Sequence, residues 1–302
     1  MNDELRRLLF RYVDNNIFAD YIFVKEVINI FIKKYGNNSV RTVINISEKQ
    51  RGVSDFENGI IGINLEYMKQ ELIKYNWYED IKSNLYLFNI LVILILKHEF
   101  NHFRQIKKYK KVVNGNDFLD KLFVNSFVMI CSSNVDLINL YNDTKYVDSL
   151  EVDKFYNEYH DCLSAERMAQ VDAYNSILKL IIPLKEELHQ VYYYFLYEYY
   201  FYRLKDYCLI EDVVLAPVDK MLFKMENYFQ YQDEIMLDDE DNSSEFYDNI
   251  INNYTINDRF RYGLPITVKE YIDALDFIKV MYVLGVSTQD NVKIKKRYYE
   301  KK

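Results

Sequence analysis

Apolar and polar positions follow a helical period along much of the chain. Residues 3–13 and Asp20–Tyr35 each place apolar side chains on one face, and Gly36, directly after the second segment, is typical of a helix end. Leu85–Leu96 is the most apolar run and predicts a buried core helix, with Ser83 as its expected N-cap. The first third of the chain is therefore predicted to be organised around one central helix.

The helical pattern continues in the second half of the chain. Ser164–Ile182 predicts a helix capped by Ser164, and Leu184–Asp206 predicts a long helix rich in tyrosine. The capping-box sequence Thr267–Glu270 predicts the start of another helix, which should end near Leu284. The acidic stretch Asp233–Asp248 predicts a solvated loop.

Two short β-branched runs interrupt this helical pattern. Val40–Ile46 and Gly59–Asn64 predict neighbouring strands, joined by the polar loop Ser47–Asn58. Either strand could provide the edge that aligns a bound peptide, Gly59–Asn64 being the better placed in sequence, although a sheet that merely covers the core fits the pattern equally well. The predicted fold class is mainly α (α+β), with one small β-sheet.

Composition narrows the range of folds and partners. The 302 residues include 7 Gly and 3 Pro, and this scarcity of helix breakers favours long helices over a sheet-rich fold. The formal net charge of -8 argues against nucleic acid as the main partner.

The cysteines and the amino-terminal sequence predict a cytoplasmic protein with no membrane partner. Cys131, Cys162 and Cys208 are odd in number and form no CxxC pair, so we expect reduced thiols. The amino terminus lacks the apolar core and the cleavage site of a signal peptide. Leu85–Leu96 is shorter than the ~20 residues that a membrane-spanning helix needs, so we interpret it as a core helix.

The long apolar run continues into the sequence HEFNH at His98–His102. If one helix spans these residues, both imidazoles leave from the same face, one turn apart, and can bind one metal ion. Glu99 points about 100° away around the helix, where it can reach a water molecule without being a ligand. The chain has only 4 His, so an accidental HExxH match is rare. The motif predicts a zinc site with Glu99 as general base.

A catalytic zinc ion takes three protein ligands, and the motif supplies two of them. Candidates for the third are Glu166, Asp172, His160 and His189. We prefer Glu166 because it lies early in a predicted helix whose small residues allow close packing against another helix. Asp172 lies almost halfway round that helix, so the two are not expected to bind one ion together. We interpret His160 and His189 as hydrogen-bond donors near the site or as surface residues.

Two stretches, HEFNHFRQ at His98–Gln105 and SAERMAQVDAY at Ser164–Tyr174, together resemble the gluzincin group of zinc metallopeptidases. The resemblance implies a zincin-like core with an active-site helix, extended by C-terminal helices. It also implies that Glu99 is the general base. The Zn2+ ligands that it implies are His98, His102 and Glu166.

On this resemblance we expect residues 1–182 to form a zincin-like metallopeptidase domain. Residues 183–302 would form a helical C-terminal region that packs on or caps this core. The expected function is zinc-dependent hydrolysis of peptide bonds inside the cell, in a restricted protein or peptide substrate. One position departs from the family, because many gluzincins have an aspartate where this chain has Gln170.

Two other functions fit the same residues. A catalytically inactive zincin-like helical protein would act as a binding or regulatory module, and a metal-dependent enzyme could instead hydrolyse a non-peptide amide. The resemblance to the gluzincins also implies a histidine or a tyrosine that stabilises the oxyanion of the tetrahedral intermediate. Among 30 Tyr the sequence favours no single residue for this role, and it carries no signal for the oligomeric state.

Overall fold

The computed structural model describes residues 1–36, 40–44, 50–56, 58–75, 80–131, 160–220 and 240–285. Within these ranges the chain is mainly helical and contains two small sheets, which confirms the predicted fold class at this level. The zincin-like arrangement of the core stays a prediction.

The helices and strands are numbered in chain order. The helices are α1 (Asn2–Asp14), α2 (Tyr21–Tyr35), α3 (Leu65–Tyr75), α4 (Ile81–Val112), α5 (Phe118–Cys131), α6 (Ser164–Ile181), α7 (His189–Leu204), α8 (Glu240–Asn253), α9 (Ile256–Tyr262) and α10 (Val268–Gly285). The strands are β1 (Arg41–Ile44), β2 (Gly52–Asp55), β3 (Ile60–Ile63), β4 (Cys208–Ile210) and β5 (Val213–Leu215).

The chain divides into two compact units. The first unit comprises Met1–Arg104, Asp172–Tyr200 and Phe277–Lys302, and the second comprises Gln105–Val171 and Phe201–Asp276. The predicted division of the sequence at residue 182 stays a prediction.

The core of the first unit is built on the apolar part of α4. Among the described residues, α4 is the one helix long and apolar enough to span a membrane, and 67% of its most apolar window is buried inside the protein. The ring of Phe31 in α2 lies 5.5 Å from the ring of Phe100 in α4, and both residues are buried. Burying one such side chain contributes about 2–3 kcal/mol. Packing against α2 therefore holds the helix that carries the HExxH sequence.

Capping residues fix where these helices begin and end. Asp20 accepts a hydrogen bond from Phe23 N, and Gly36 adopts a φ of 66°, so α2 has the predicted ends. The cap of α4 is Asp80, whose Oδ2 accepts a hydrogen bond from Ser83 N at 2.8 Å. The prediction of Ser83 as the cap was wrong, because the aspartate three residues earlier already satisfies the free N–H group at the helix start.

A three-stranded sheet of order β1–β3–β2 belongs to the first unit. β3 pairs in parallel with β1 and antiparallel with β2. β2 lies within Ser47–Asn58, and the prediction of a loop was therefore wrong for Gly52–Asp55. Its sequence, GVSD, has a single apolar residue and no alternation, so its strand conformation comes from pairing with β3.

The second unit has elements that the sequence pattern did not predict, namely the β4–β5 hairpin and α9. α8 begins at Glu240, so the prediction of a solvated loop over Asp233–Asp248 was wrong from that residue onward. The capping box that starts α10 is confirmed. Thr267 N donates to Glu270 Oε2 at 2.9 Å, and Glu270 N donates to Thr267 Oγ1 at 3.2 Å.

A partly buried carboxylate makes the stability of the second unit depend on pH. Asp219 accepts hydrogen bonds from Ala216 N at 3.0 Å and from the Tyr247 side chain. Burial raises the pKa of Asp219 from 3.8 to about 6, against the opposite effect of these two bonds. The folded state therefore binds this proton more tightly than the unfolded state, and the contribution to stability falls as pH rises through this window.

Substitution of this carboxylate isolates its effect on stability. We expect the free energy of unfolding of the wild type, minus that of Asp219→Asn, to decrease by up to about 2 kcal/mol between about pH 4 and pH 7. Urea unfolding at a series of pH values measures this difference. A difference independent of pH, or one that increases with pH, would contradict the assignment.

Candidate metal centre

His98 and His102 lie one turn apart on α4, as their spacing predicts. Their Nε2 atoms are 3.1 Å apart, and their ring planes meet at 87°. His102 is buried and His98 is half-buried. Two nitrogens bound to one tetrahedral zinc ion at about 2.0–2.1 Å lie roughly 3.3 Å apart. The two side chains therefore converge to nearly the separation that a shared metal ion requires.

Aromatic packing fixes the orientation of His102. The ring of Phe56 lies 6.3 Å from the His102 ring at an interplanar angle of 89°, and 5.4 Å from the ring of Phe103. Phe103 is itself buried. Edge-to-face contacts of this kind favour one ring orientation, so the imidazole is held in place before any ligand binds.

Glu99 is held by the edge strand of the small sheet. The residue is 7% exposed, and its Oε2 accepts a hydrogen bond from Ser54 Oγ in β2 at 2.6 Å. Gly52 permits this approach, because a Cβ atom there would stand 2.8 Å from Glu99 Oε1 and 2.6 Å from Ile95 Cγ2. The sequence pattern did not reveal the roles of Ser54 and Gly52, because both lie in the segment predicted as a polar loop.

The strand beside the motif is β2, and the preference for Gly59–Asn64 as the strand edge was wrong. β3, which lies in that segment, is the central strand because it pairs with β1 on one side and β2 on the other. Among the described strands β2 pairs with β3 alone. The hydrogen-bonding order therefore makes β2 an edge strand, as is β1 on the other side, although β3 is closer to the motif in sequence.

Lys97, directly before His98, is a buried lysine whose surroundings the apolar pattern did not reveal. The residue is 2% exposed, and its Nζ lies 4.2 Å from the ring centroid of Tyr35 and 5.4 Å from that of Phe31. Burial, together with the charge of Arg104, lowers the pKa of Lys97 to about 7. Desolvated cation–π contacts contribute about 2 kcal/mol, so the two aromatic faces replace part of the hydration that the ammonium group loses.

Glu166, the predicted third ligand, belongs to the second unit and lies in the first turn of α6. It is buried, as are the small side chains of Ala165 and Ala169 beside it. Ser164 was predicted to cap this helix, but its Oγ donates to the Tyr262 carbonyl at 2.8 Å, so that prediction was wrong. The role of Glu166 as a ligand stays a prediction.

A histidine and an aspartate accompany Glu166 in the second unit. His160 Nε2 lies 3.4 Å from Glu166 Oε2, and His160 Nδ1 lies 3.5 Å from Asp161 Oδ1. Lys205 forms an ion pair with the other oxygen of Asp161. Burial would raise the pKa of Asp161, but the contacts with His160 and Lys205 lower it to about 2. The four side chains form one connected polar chain.

The two other candidates for the third ligand lie in the first unit. Asp172 is half-buried on α6, and His189 is exposed at the start of α7 with its ring 4.7 Å from that of Tyr193. In the described part of the chain, two groups have ligand atoms that all lie within 4.8 Å of one another. They are His98, Glu99 and His102, and His160, Asp161 and Glu166.

Arg167 anchors the start of α6 beside Glu166. Its side chain is fully buried, and its guanidinium group donates to backbone carbonyl groups from three separate segments of the second unit. The four carbonyl oxygens are those of Asp161 at 3.4 Å, Lys205 at 3.0 Å, Arg203 at 2.8 Å and Phe260 at 3.3 Å. The sequence pattern did not indicate a buried role for Arg167, because arginines in a helical pattern usually face solvent.

The comparisons with known proteins identify no family for this chain. No protein-family model, curated protein or solved structure matches it. The resemblance to the gluzincins therefore rests on the two sequence stretches, and membership of that group stays a prediction.

Proposed function

We propose that the protein is an intracellular zinc-dependent hydrolase of peptide bonds with a restricted protein or peptide substrate. In this proposal His98 and His102 bind Zn2+, Glu166 is the third ligand and Glu99 is the general base. The gluzincin-like stretches of the sequence support this assignment of roles.

The 3.1 Å separation of the two Nε2 atoms beside a buried glutamate is the observation that carries the proposal. Two imidazoles and one carboxylate are a ligand set typical of catalytic zinc. A histidine pair without a metal can also share a hydrogen bond at this distance, so metal analysis is the measurement that separates the two cases.

Glu99 has the surroundings that a general base requires. A zinc ion held by the two histidines would polarise the scissile carbonyl group and lower the pKa of a bound water molecule toward about 7. Glu99 then accepts the proton of the attacking water and passes it to the leaving amine. Ser54 orients the Glu99 carboxylate, because its hydroxyl group donates to Glu99 Oε2 at 2.6 Å.

The position of Glu166 is fixed within the second unit. Gln105 Nε2 donates to the Ala165 carbonyl at 2.7 Å, and Ala165 directly precedes Glu166 at the start of α6. The preference for Glu166 over the exposed His189 in the proposal rests on the resemblance of Ser164–Tyr174 to the gluzincins.

β2 is the element that we propose aligns the substrate. A peptide that adds to a strand edge as a further strand gains backbone hydrogen bonds that do not depend on its side chains. Ser54 lies in this strand and contacts Glu99, so a peptide aligned along β2 would lie beside the general base. Profiling with peptide and non-peptide amides separates a peptidase from a hydrolase of other amides.

Metal analysis of the purified full-length chain tests the proposal. We expect one zinc ion per chain, and we expect His98→Ala and His102→Ala each to lose it, because two remaining ligands hold the ion weakly. His189→Ala removes an exposed histidine and should keep the full zinc content. A wild-type chain that binds no stoichiometric zinc would overturn the proposal and favour the inactive binding module.

A further inference from the structure

The polar chain that runs from Lys205 through Asp161 and His160 ends at Glu166. We propose that His160 is a positioning residue, which fixes the orientation in which the Glu166 carboxylate binds a metal ion. This inference rests on the proposed function, in which Glu166 is the third ligand.

The geometry of His160 supports this role. Its two ring nitrogens contact two different carboxylates, Glu166 Oε2 at 3.4 Å and Asp161 Oδ1 at 3.5 Å. Carboxylate oxygens accept hydrogen bonds and do not donate them when ionised. An imidazole ring donates from both nitrogens at once when both carry a proton, so the two contacts together orient the ring, and the ring in turn restrains the Glu166 side chain.

The Lys205 end of this row of polar side chains is held by contacts with the backbone. Lys205 pairs with Asp161, and the buried guanidinium group of Arg167 donates to the backbone carbonyls of both residues. The two segments that supply Asp161 and Lys205 are thus fixed relative to α6 by Arg167, which directly follows Glu166. Ordering Asp161 in this way removes rotamer freedom that would otherwise loosen His160.

The same residues are poorly arranged to bind a metal ion by themselves. Ligands of one ion must direct their donor atoms at a common point. Here the imidazole ring stands between the two carboxylates and presents a different nitrogen to each. The ammonium group of Lys205 is also paired with Asp161. This arrangement suits the support of one ligand, Glu166, better than a separate site.

Partners that hydrogen-bond a ligating side chain typically contribute 10–100-fold to metal affinity. We expect His160→Ala to weaken zinc binding by about this factor. His160→Gln should lose less, because its amide can donate to Glu166 in place of Nε2. Competition with a chromogenic zinc chelator measures the affinities on the full-length chain, and circular dichroism confirms that each variant is folded.

A double-mutant cycle distinguishes positioning from a general structural effect. If His160 acts through Glu166, the His160→Ala/Glu166→Ala double variant should bind zinc no more weakly than Glu166→Ala alone. His189→Ala is the matched control, since it removes an exposed histidine and should leave the affinity unchanged.

Three results would overturn the inference, and each has a different consequence for the proposed function. If His160→Ala binds zinc as tightly as the wild type while Glu166→Ala binds weakly, the positioning role fails and the zinc centre stands. If Glu166→Ala binds like the wild type, the third ligand lies elsewhere. If the His98→Ala/His102→Ala variant keeps a zinc ion that His160→Ala loses, the cluster around His160 is itself the metal site.

Discussion

Glu99→Gln should lower kcat for peptide hydrolysis by about 10²–10⁴-fold while the protein keeps its zinc ion. The substitution preserves the shape of the side chain and an oxygen that can accept the hydrogen bond from Ser54. It removes the carboxylate that takes the proton from the attacking water. Because Glu99 is not a ligand in the proposed centre, zinc content should match that of the wild type. Steady-state kinetics on a cleaved peptide, together with metal analysis, measure both effects.

The same substitution at Glu66 provides the control for this experiment. Glu66 lies on α3, and its side chain is 60% exposed, so Glu66→Gln should leave both kcat and zinc content unchanged. Full activity in Glu99→Gln would exclude a general base at this position. Loss of zinc from Glu99→Gln would instead show that the carboxylate is a ligand.

Arg167→Met should lower the free energy of unfolding by about 2–4 kcal/mol. Methionine fills much of the same volume but leaves four carbonyl oxygens without the guanidinium donor, and the hydrogen bonds to those of Arg203 and Phe260 are buried. Losing the partner of a buried polar group costs about 1–3 kcal/mol. Part of this loss is offset, because the neutral methionine avoids the desolvation penalty of a buried positive charge. Urea unfolding followed by circular dichroism measures the change.

Arg11 provides a matched control for the arginine substitution. It forms an ion pair with Glu26 in which both side chains are well exposed, at 54% and 39%. Exposed ion pairs contribute about 0–1 kcal/mol, so Arg11→Met should have little effect. If the two substitutions destabilise the protein equally, Arg167 does not anchor the second unit as its contacts indicate.

Elements with strong local signals were predicted well from the sequence. α2 has the expected ends because Asp20 and Gly36 satisfy its free backbone groups. The capping box at Thr267 works in the same way for α10. Ser83 was wrongly predicted as the N-cap of α4. Asp80 and Ser83 can both accept a hydrogen bond from the backbone at the start of the helix, and the sequence pattern alone did not favour Asp80.

The candidate site was predicted in part. The spacing of His98 and His102 requires that both imidazoles share one face of a helix. The 3.1 Å approach of their Nε2 atoms also depends on the ring orientations, to which Phe56 contributes. The support of Glu99 by Ser54 was not predictable, because β2 has no alternation and becomes a strand through its pairing with β3. Likewise the helical pattern does not distinguish Arg167 from a surface arginine, because three of its four carbonyl partners lie 36 to 93 positions away.

The sequence by itself determined the helical character of the protein and the HExxH group on α4. Both depend on periodicity and on contacts between residues a few positions apart, which local sequence encodes directly. The tertiary structure alone decided which strand contacts Glu99, what holds Arg167 in place, and that His160 and Asp161 accompany Glu166. The first two arrangements join residues far apart in the chain, and the third includes the contact of Asp161 with Lys205, 44 positions away. Their energies depend on burial and on hydrogen-bond partners that no local pattern specifies.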